Sequence, residues 1–381
     1  MAQFELRYGV NPHQKSARIY RHEGLPFEVL NGNPSYINML DALNSWQLVR
    51  ELKSLTGIAA AASFKHTSPA GAAIAKPLSS ELAESSSPLA TAYVRARGAD
   101  PMSSFGDWVA LSDTVDESVA MVLKREVSDG CIAPGYESSA LEILKTKKAG
   151  KYTIIRIEGD YEPEEKETRQ VFGAFLEQDR NNARIDDSLL KHVVTRNKQI
   201  PDKTRQDMLI AAITLKYTQS NSICIAYDGQ VIGVGAGQQS RIHCTRIACT
   251  KADKWFLRLH PKVLGFDFIK GVKRSQKATA IDLYFEEQVT EPEFEAWSKL
   301  FNKVPERLTS REKQEWLAHF NNIVLGSDGF IPFRDNIDRA AKSGVRYIIQ
   351  PGGSTRDKDI IQAADEYKMV MVFTGLRLFH H

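Results

Sequence analysis

The stretch IAAAASFKHTSPAGAAIA, residues 58–75, decides how the chain is read. Its apolar, alanine-rich first part, residues 58–64, reads as a buried strand of a parallel sheet. Lys65 and His66 fall where that strand ends. Ser68 and Pro69 read as an N-cap and a proline in the first helical turn, with residues 70–75 continuing the helix. Open α/β sheets place ligand sites where strand ends feed helix starts. An ammonium and an imidazole would then stand side by side near free N–H groups. A turn with a solvated lysine and a hydrogen-bonded histidine fits the same residues, so this stretch alone leaves both readings open.

Composition bounds the rest. At 381 residues and 42% hydrophobic, the chain can bury a large core and divides most naturally into two domains. Fifty basic against 47 acidic side chains leave +3, too balanced for a nucleic-acid or membrane surface, though local basic pockets for anionic small molecules remain open. Cys131, Cys224, Cys244 and Cys249 form no CxxC pair, which fits a reducing compartment. The N-terminus has no apolar signal core, and no run approaches the roughly 20 apolar residues of a membrane span. The expectation is a soluble, cytoplasmic protein with neither nucleic-acid nor membrane partners.

Working outward, residues 7–14 form a Gly/Asn/Pro loop, followed by short strands at 17–20 and 27–30 and a helix over 36–55. A polar loop is expected over 79–88, then alternating helices and strands up to 157. The charged, proline-bearing run 160–167 reads as the boundary between domains 1–160 and 161–381. Beyond it lies a helix over 207–217, then a hairpin whose turn is Asp228-Gly229, the favoured two-residue signal. A helix over 242–259, a polar helical region over 291–320 and three strands to the end, separated by helices over 336–342 and 356–367, imply α/β layering.

Gly233-x-Gly235-x-Gly237 fails the dinucleotide spacing. It reads instead as a backbone nest at a helix N-terminus with Arg241 beside it, suited to an anion, or as a close-packed turn. The Gln350-Pro351-Gly352-Gly353-Ser354 turn repeats that logic, with Arg356 following. His243, Cys244 and Cys249 lack the H-x-E…P-C-x-x-C pattern of zinc deaminases and read as core packing. Neither a G-x-S-x-G elbow nor a P-loop occurs.

Nine stretches are dense in polar groups and occur in a fixed order: RYGVNPHQ, FKHTSPAGAA, ARGADPMSSFGDW, SDGCIAPGYE, KYTQSN, GVGAGQQSRIHCTR, SDGFIPFRDN, QPGGSTRD and FTGLRLFHH. In that order they resemble the signature stretches of the AICAR transformylase (phosphoribosylaminoimidazolecarboxamide formyltransferase) family, from Arg7 to the last residue. In the familiar bifunctional purine-biosynthesis protein this is the C-terminal part, preceded by an IMP cyclohydrolase domain. Here six residues precede Arg7, so the expectation is a monofunctional chain.

The resemblance implies two intertwined cytidine-deaminase-like, three-layer α/β domains without the catalytic zinc, part of 262–321 packing on the first domain. It implies formyl transfer from 10-formyltetrahydrofolate to the 5-amino group of AICAR in de novo purine synthesis, by a homodimer with shared active sites. Lys65, His66 and Asn221 match catalytic positions, and His381 is expected to help hold ligand or base. Arg7, Tyr8, Asp129, Ser240, Arg241 and Arg377 match AICAR-binding positions. Met102, Phe105, Gly106, Ile242, Pro332, Phe333, Asp335, Asn336 and Ser354 match the folate side. No catalytic metal is implied; a structural potassium ion is compatible with the family. The alternatives weighed beside this reading are a zinc-independent ligand-binding relative and a nucleobase deaminase.

Overall fold

The computed structural model describes residues 1–77 and 87–381, so most of the polar loop expected over 79–88 lies outside the described residues. In chain order the strands are β1 (Ala2–Glu5), β2 (Arg18–Arg21), β3 (Phe27–Asn31), β4 (Ala60–Lys65), β5 (Ser68–Ile74), β6 (Asp107–Leu111), β7 (Ser128–Ala133), β8 (Thr153–Ile157), β9 (Lys166–Val171), β10 (Ala174–Asp179), β11 (Ile223–Tyr227), β12 (Gln230–Gly235), β13 (Ile323–Ser327), β14 (Val345–Gln350) and β15 (Val370–Phe373). Eleven of them form one mixed sheet in the order β15-β14-β13-β11-β12-β5-β4-β6-β7-β8-β3.

The opening stretch folds differently from its reading. Residues 68–74 are a strand, not a helix, and β4 runs antiparallel to both its neighbours, β5 and β6. Lys65 pairs with Ser68, so His66 and Thr67 alone make the turn. The alanines are buried on both faces: Ala60 and Ala62 meet one helical layer and Ala61 the other. Two-sided burial erases the polar alternation by which a strand is recognised, and Ala with Pro then imitates a helix start. Pro69 is tolerated because it sits beside the register shift at Ser63/Phe64, where the ladder is already interrupted.

The sheet is built from two halves with the same strand pattern. The first runs β5-β4-β6-β7-β8 and the second β12-β11-β13-β14-β15, joined back to back by antiparallel β5–β12 pairing. In each half the outer three strands are parallel and the inner hairpin antiparallel. Helices Tyr36–Thr56 and Asp202–Lys216 cover one face across both halves. On the other face, helices Pro88–Gly98, Glu117–Arg125 and Ser138–Lys145 cover the first half, and helices Arg241–Arg258, Asp335–Lys342 and Asp357–Glu366 the second.

The Tyr36–Thr56 helix has clear local causes. Ser35 and Asn38 form a reciprocal capping box at its start, and Gly57, at φ 69°, closes its end by donating to the Lys53 carbonyl. Leu48, Val49 and Leu52 are fully buried, each contributing about 1.5–3 kcal/mol. Four short helices, Pro261–Leu264, Arg274–Tyr284, Glu291–Ser298 and Ser310–Leu317, surround a satellite aromatic core of Tyr284, Trp297 and Phe301. This insertion touches the first half through Arg274–Glu126 (2.9 Å). Residues 160–167 lead into β9–β10, a two-stranded ribbon exposed along its whole length. Among the described residues, no helix is long and apolar enough to cross a membrane.

Candidate active site

His66 and Thr67 form a two-residue turn with φ of 52° and 59°, the left-handed conformation of a type I′ hairpin. Histidine tolerates that region better than most residues, but for β-branched Thr67 it is strained. Asp41, on the buried face of the Tyr36–Thr56 helix, accepts the Thr67 N–H at 2.7 Å. Burial foremost pushes the Asp41 carboxyl up to about 6, opposed by its hydrogen bonds to the turn. Nearby Asp129 adds to the rise and Lys65 works against it, so all these groups share one region. Asp129 is half exposed and pairs with Lys148 at 2.6 Å.

Lys65 Nζ donates to the Phe105 carbonyl at 2.6 Å, bringing the 102–106 loop beside the turn. A buried network fixes that loop. Arg97 donates to the Ser104 carbonyl (2.6 Å) and to Asp107 (2.8 Å), while Ser63 donates to the other Asp107 oxygen (2.6 Å). Gly106 turns the chain at φ 78°. Met102 and Phe105 are left partly exposed.

The second half reaches the same place. Ser68 Oγ accepts the Gln219 N–H at 3.2 Å, docking the 219–222 segment on the turn. The Asn221 side chain is held at both ends: its Oδ1 accepts from Arg241 (2.7 Å) and its Nδ2 donates to the Gln238 carbonyl (2.9 Å). One amide hydrogen therefore remains for another acceptor. Arg241 is itself buried, donating to the Ser222 carbonyl (3.1 Å), Ser327 Oγ (3.2 Å) and the Asp328 carboxylate. Asp328 also accepts from Ser220 Oγ (2.6 Å) and the Ser222 N–H (3.0 Å).

The C-terminal segment closes over this network. Leu378 donates to the Asp328 carbonyl (2.8 Å), and Ser220 and His380 exchange hydrogen bonds of 3.0 and 3.1 Å. Burial pushes the His380 imidazole below its ordinary value. Arg377 lies over the Phe379 ring (4.7 Å), with His381 edge-on to that ring (6.0 Å).

The glycine run needs a correction. Gly233 and Gly235 lie inside β12, where a Cβ would come within 2.2 Å of the Ala248 and Cys244 carbonyl oxygens. Their role is to let the Arg241–Arg258 helix lie flat on the strand, and the Arg241 guanidinium points inward rather than to an open nest. Ser240 precedes that helix without a side-chain cap bond, and Ile242 in its first turn is partly buried.

Arg7 and Tyr8 stand at the start of the Tyr36–Thr56 helix. Arg7 donates to the Tyr8 hydroxyl (2.9 Å), and the Tyr8 carbonyl accepts the Tyr36 N–H (3.0 Å). Pro332, Phe333 and Asp335 line a cavity of about 550 Å³ with Arg356, whose guanidinium lies over Phe333 (5.2 Å). Ser354 Oγ accepts the Arg356 N–H (3.1 Å), and Asn336 accepts from Thr245 (2.7 Å). Met102 instead lines a different groove, with Arg246, Ile247 and Lys251. Within one chain, the Lys65–His66 turn, the Asn221 segment and the C-terminal segment are linked together, while Met102 lines one cavity and Pro332, Phe333 and Asp335 another.

Asp41, Gln238 and Asp328 escaped sequence reasoning. Asp41 left one signal: it shares a helical stripe with Ser45, Leu48 and Leu52, an acid on the apolar face. Asp328 sat inside a recognised stretch without a role, and the Gln238 carbonyl leaves no trace in a sequence.

Comparison with known proteins gives a family and its relatives. The profile described as "AICARFT/IMPCHase bienzyme" matches residues 1–251. Proteins named "Bifunctional purine biosynthesis protein PurH" are similar along nearly all of this chain. That of Xylella fastidiosa (strain 9a5c) is 32% identical over 99% of this chain and 58% of its own length. That of Anoxybacillus flavithermus (strain DSM 21510 / WK1) is 33% identical over 99% of this chain and 59% of its own length. The chain thus spans a little under three fifths of the curated relatives it matches.

Proposed function

The chain belongs to the AICARFT/IMPCHase bienzyme family, and from that membership we propose that it acts in purine biosynthesis as an AICAR formyltransferase. The formyl donor in this reading is 10-formyltetrahydrofolate. Each half of the sheet, with its covering helices, is read as a deaminase-like three-layer unit working without a catalytic zinc. The observation that carries the function is the docking of the Lys65–His66 turn onto the Asn221 segment through Ser68 and Gln219. A base, an ammonium and an oriented amide donor then serve one reaction.

The AICAR 5-amino lone pair is delocalised into the imidazole and carboxamide, so the amine attacks only as its proton leaves. His66 takes that proton, directly or through the neighbouring carboxamide. The nitrogen bonds to the formyl carbon, and the carbonyl electrons move onto oxygen. The free Asn221 amide hydrogen and the Lys65 ammonium stabilise that oxyanion. The C–N10 bond then breaks, and Lys65 supplies the proton that N10 gains. Arg7, Tyr8 and Arg377 are assigned to AICAR, where a guanidinium suits phosphate bidentately. Ser240, Asp129 and His381 are assigned to ligand contacts in the same region, with Arg241 acting through Asn221.

Phe105 and Met102 supply one apolar wall for the folate, and Ile242, Pro332, Phe333, Asp335, Asn336 and Ser354 the other. Met102 lines one cavity of the chain and Pro332, Phe333 and Asp335 another, which supports a homodimer in which a second copy completes each site. The β9–β10 ribbon supports the same assembly, since Phe172, Phe175 and Leu176 stand exposed on it.

The test is substitution. Lys65→Ala and His66→Ala should each reduce kcat roughly 10²–10⁴-fold at saturating substrates, with AICAR affinity nearly unchanged. Near-normal kcat in either variant would remove that residue from the mechanism.

A further inference from the structure

The two halves of the sheet contain the same hairpin turn made from different residues. In the second half, β11 and β12 are joined by Asp228 and Gly229, at φ 49° and 78°. Asp-Gly is a preferred type I′ pair. Asp207, on the helix that precedes this hairpin, accepts the Asp228 N–H (2.8 Å) and the Gly229 N–H (2.6 Å). In the first half, the equivalent turn is His66-Thr67, at φ 52° and 59°. The equivalent preceding helix supplies Asp41, which accepts the Thr67 N–H at 2.7 Å.

The architecture therefore keeps the helix-borne aspartate while placing a β-branched threonine where the other turn has glycine. In the second half the turn would form without help. In the first, a β-branched residue at positive φ resists the conformation, and something else must hold it. Asp41 holds that turn from a well-capped helix through its bond to the Thr67 N–H and is 6% exposed, so solvent does not compete for the contact.

We propose that Asp41 is a positioning residue for the reaction: by holding the Thr67 amide it keeps the His66–Thr67 turn left-handed, so that His66 and Lys65 face the same substrate. The proposal rests on the formyl-transfer reading of Lys65 and His66. Asp41 touches no reacting atom and acts through the turn.

The test compares wild type, Asp41→Ala, Asp41→Asn and the double variant Asp41→Ala/Thr67→Gly. For each, kcat with AICAR and 10-formyltetrahydrofolate and the calorimetric Kd for AICAR are measured. Asp41→Ala should lower kcat about 10- to 100-fold and change Kd less than about threefold. Asp41→Asn, whose amide oxygen still accepts the Thr67 N–H, should stay within about fivefold of wild type. Thr67→Gly in the alanine background should restore part of the lost kcat, because glycine adopts positive φ unaided. Wild-type kcat in Asp41→Ala, or equal losses in kcat and affinity, would overturn the proposal. If Asp41→Ala does not fold, Asp41→Asn decides: kcat within fivefold supports the acceptor role, and a larger loss overturns it. An inactive wild type overturns the functional reading and this proposal together, whereas an active wild type beside an active Asp41→Ala overturns this proposal alone.

Discussion

At positions 66 and 67 the chain accepts left-handed backbone where Asn, Asp or Gly would be the easier choice, a cost of about 1–2 kcal/mol per residue. That Lys65 and His66 stand together where an apolar strand ends was legible, because an ammonium beside an imidazole after an apolar run is a recognisable combination. Their conformation was not legible, because Ser-Pro-Ala also spells a helix start. Asp41 was hidden because its partner is a backbone N–H 26 residues away, and backbone partners have no sequence signature. Its titration gives a prediction. The folded carboxyl lies at about 6, above the unfolded 3.8, so the folded state binds more protons between those values. Wild-type stability from this group is fully present below about 4 and is lost as pH rises through 6, by roughly 3 kcal/mol. Asp41→Asn does not titrate there. Its stability relative to wild type should therefore rise from pH 4.5 to pH 6.5 and level off above, measured by urea unfolding; a pH-independent difference would contradict the assignment.

Among the elements, the three outer strands of the second half and the two helices between them were legible as alternating apolar and amphipathic runs, and Asp228-Gly229 marked its hairpin directly. The β4–β5 hairpin was misread because two-sided burial removes periodicity. The glycines of β12 were legible as close packing only with the helix in place. One buried cluster ties these elements together. Asp328, fully buried after β13, neutralises Arg241 at the start of the helix on β12 and accepts from Ser220 and Ser222 just before β11. Asp328→Ala should cost about 3–5 kcal/mol in urea unfolding, because it strands a buried guanidinium. Formyl transfer should fall as well, since Arg241 orients Asn221. A stability loss below about 1 kcal/mol would show that the cluster does not hold the elements.

Across the whole molecule, the two halves meet at the β5–β12 seam, and the candidate site forms there from both. The α/β class was legible from composition and alternation. The single continuous sheet was not, because strand pairing between distant segments leaves no local signal. The proposed sharing of the folate site between two copies makes a test of assembly. Lys65→Ala and Asp335→Ala, each inactive alone, should regain activity after subunit exchange. Random mixing of equal amounts gives about half heterodimers, each with one intact site, and so roughly a quarter of wild-type activity. No recovery despite demonstrated heterodimers would place both residues in one subunit's site.

The most direct test of the central claim is an assay of the purified chain with AICAR and 10-formyltetrahydrofolate, following FAICAR and tetrahydrofolate together. The account predicts equimolar formation of both products, dependent on each substrate and abolished by Lys65→Ala. AICAR binding without any formyl transfer from that donor would contradict it.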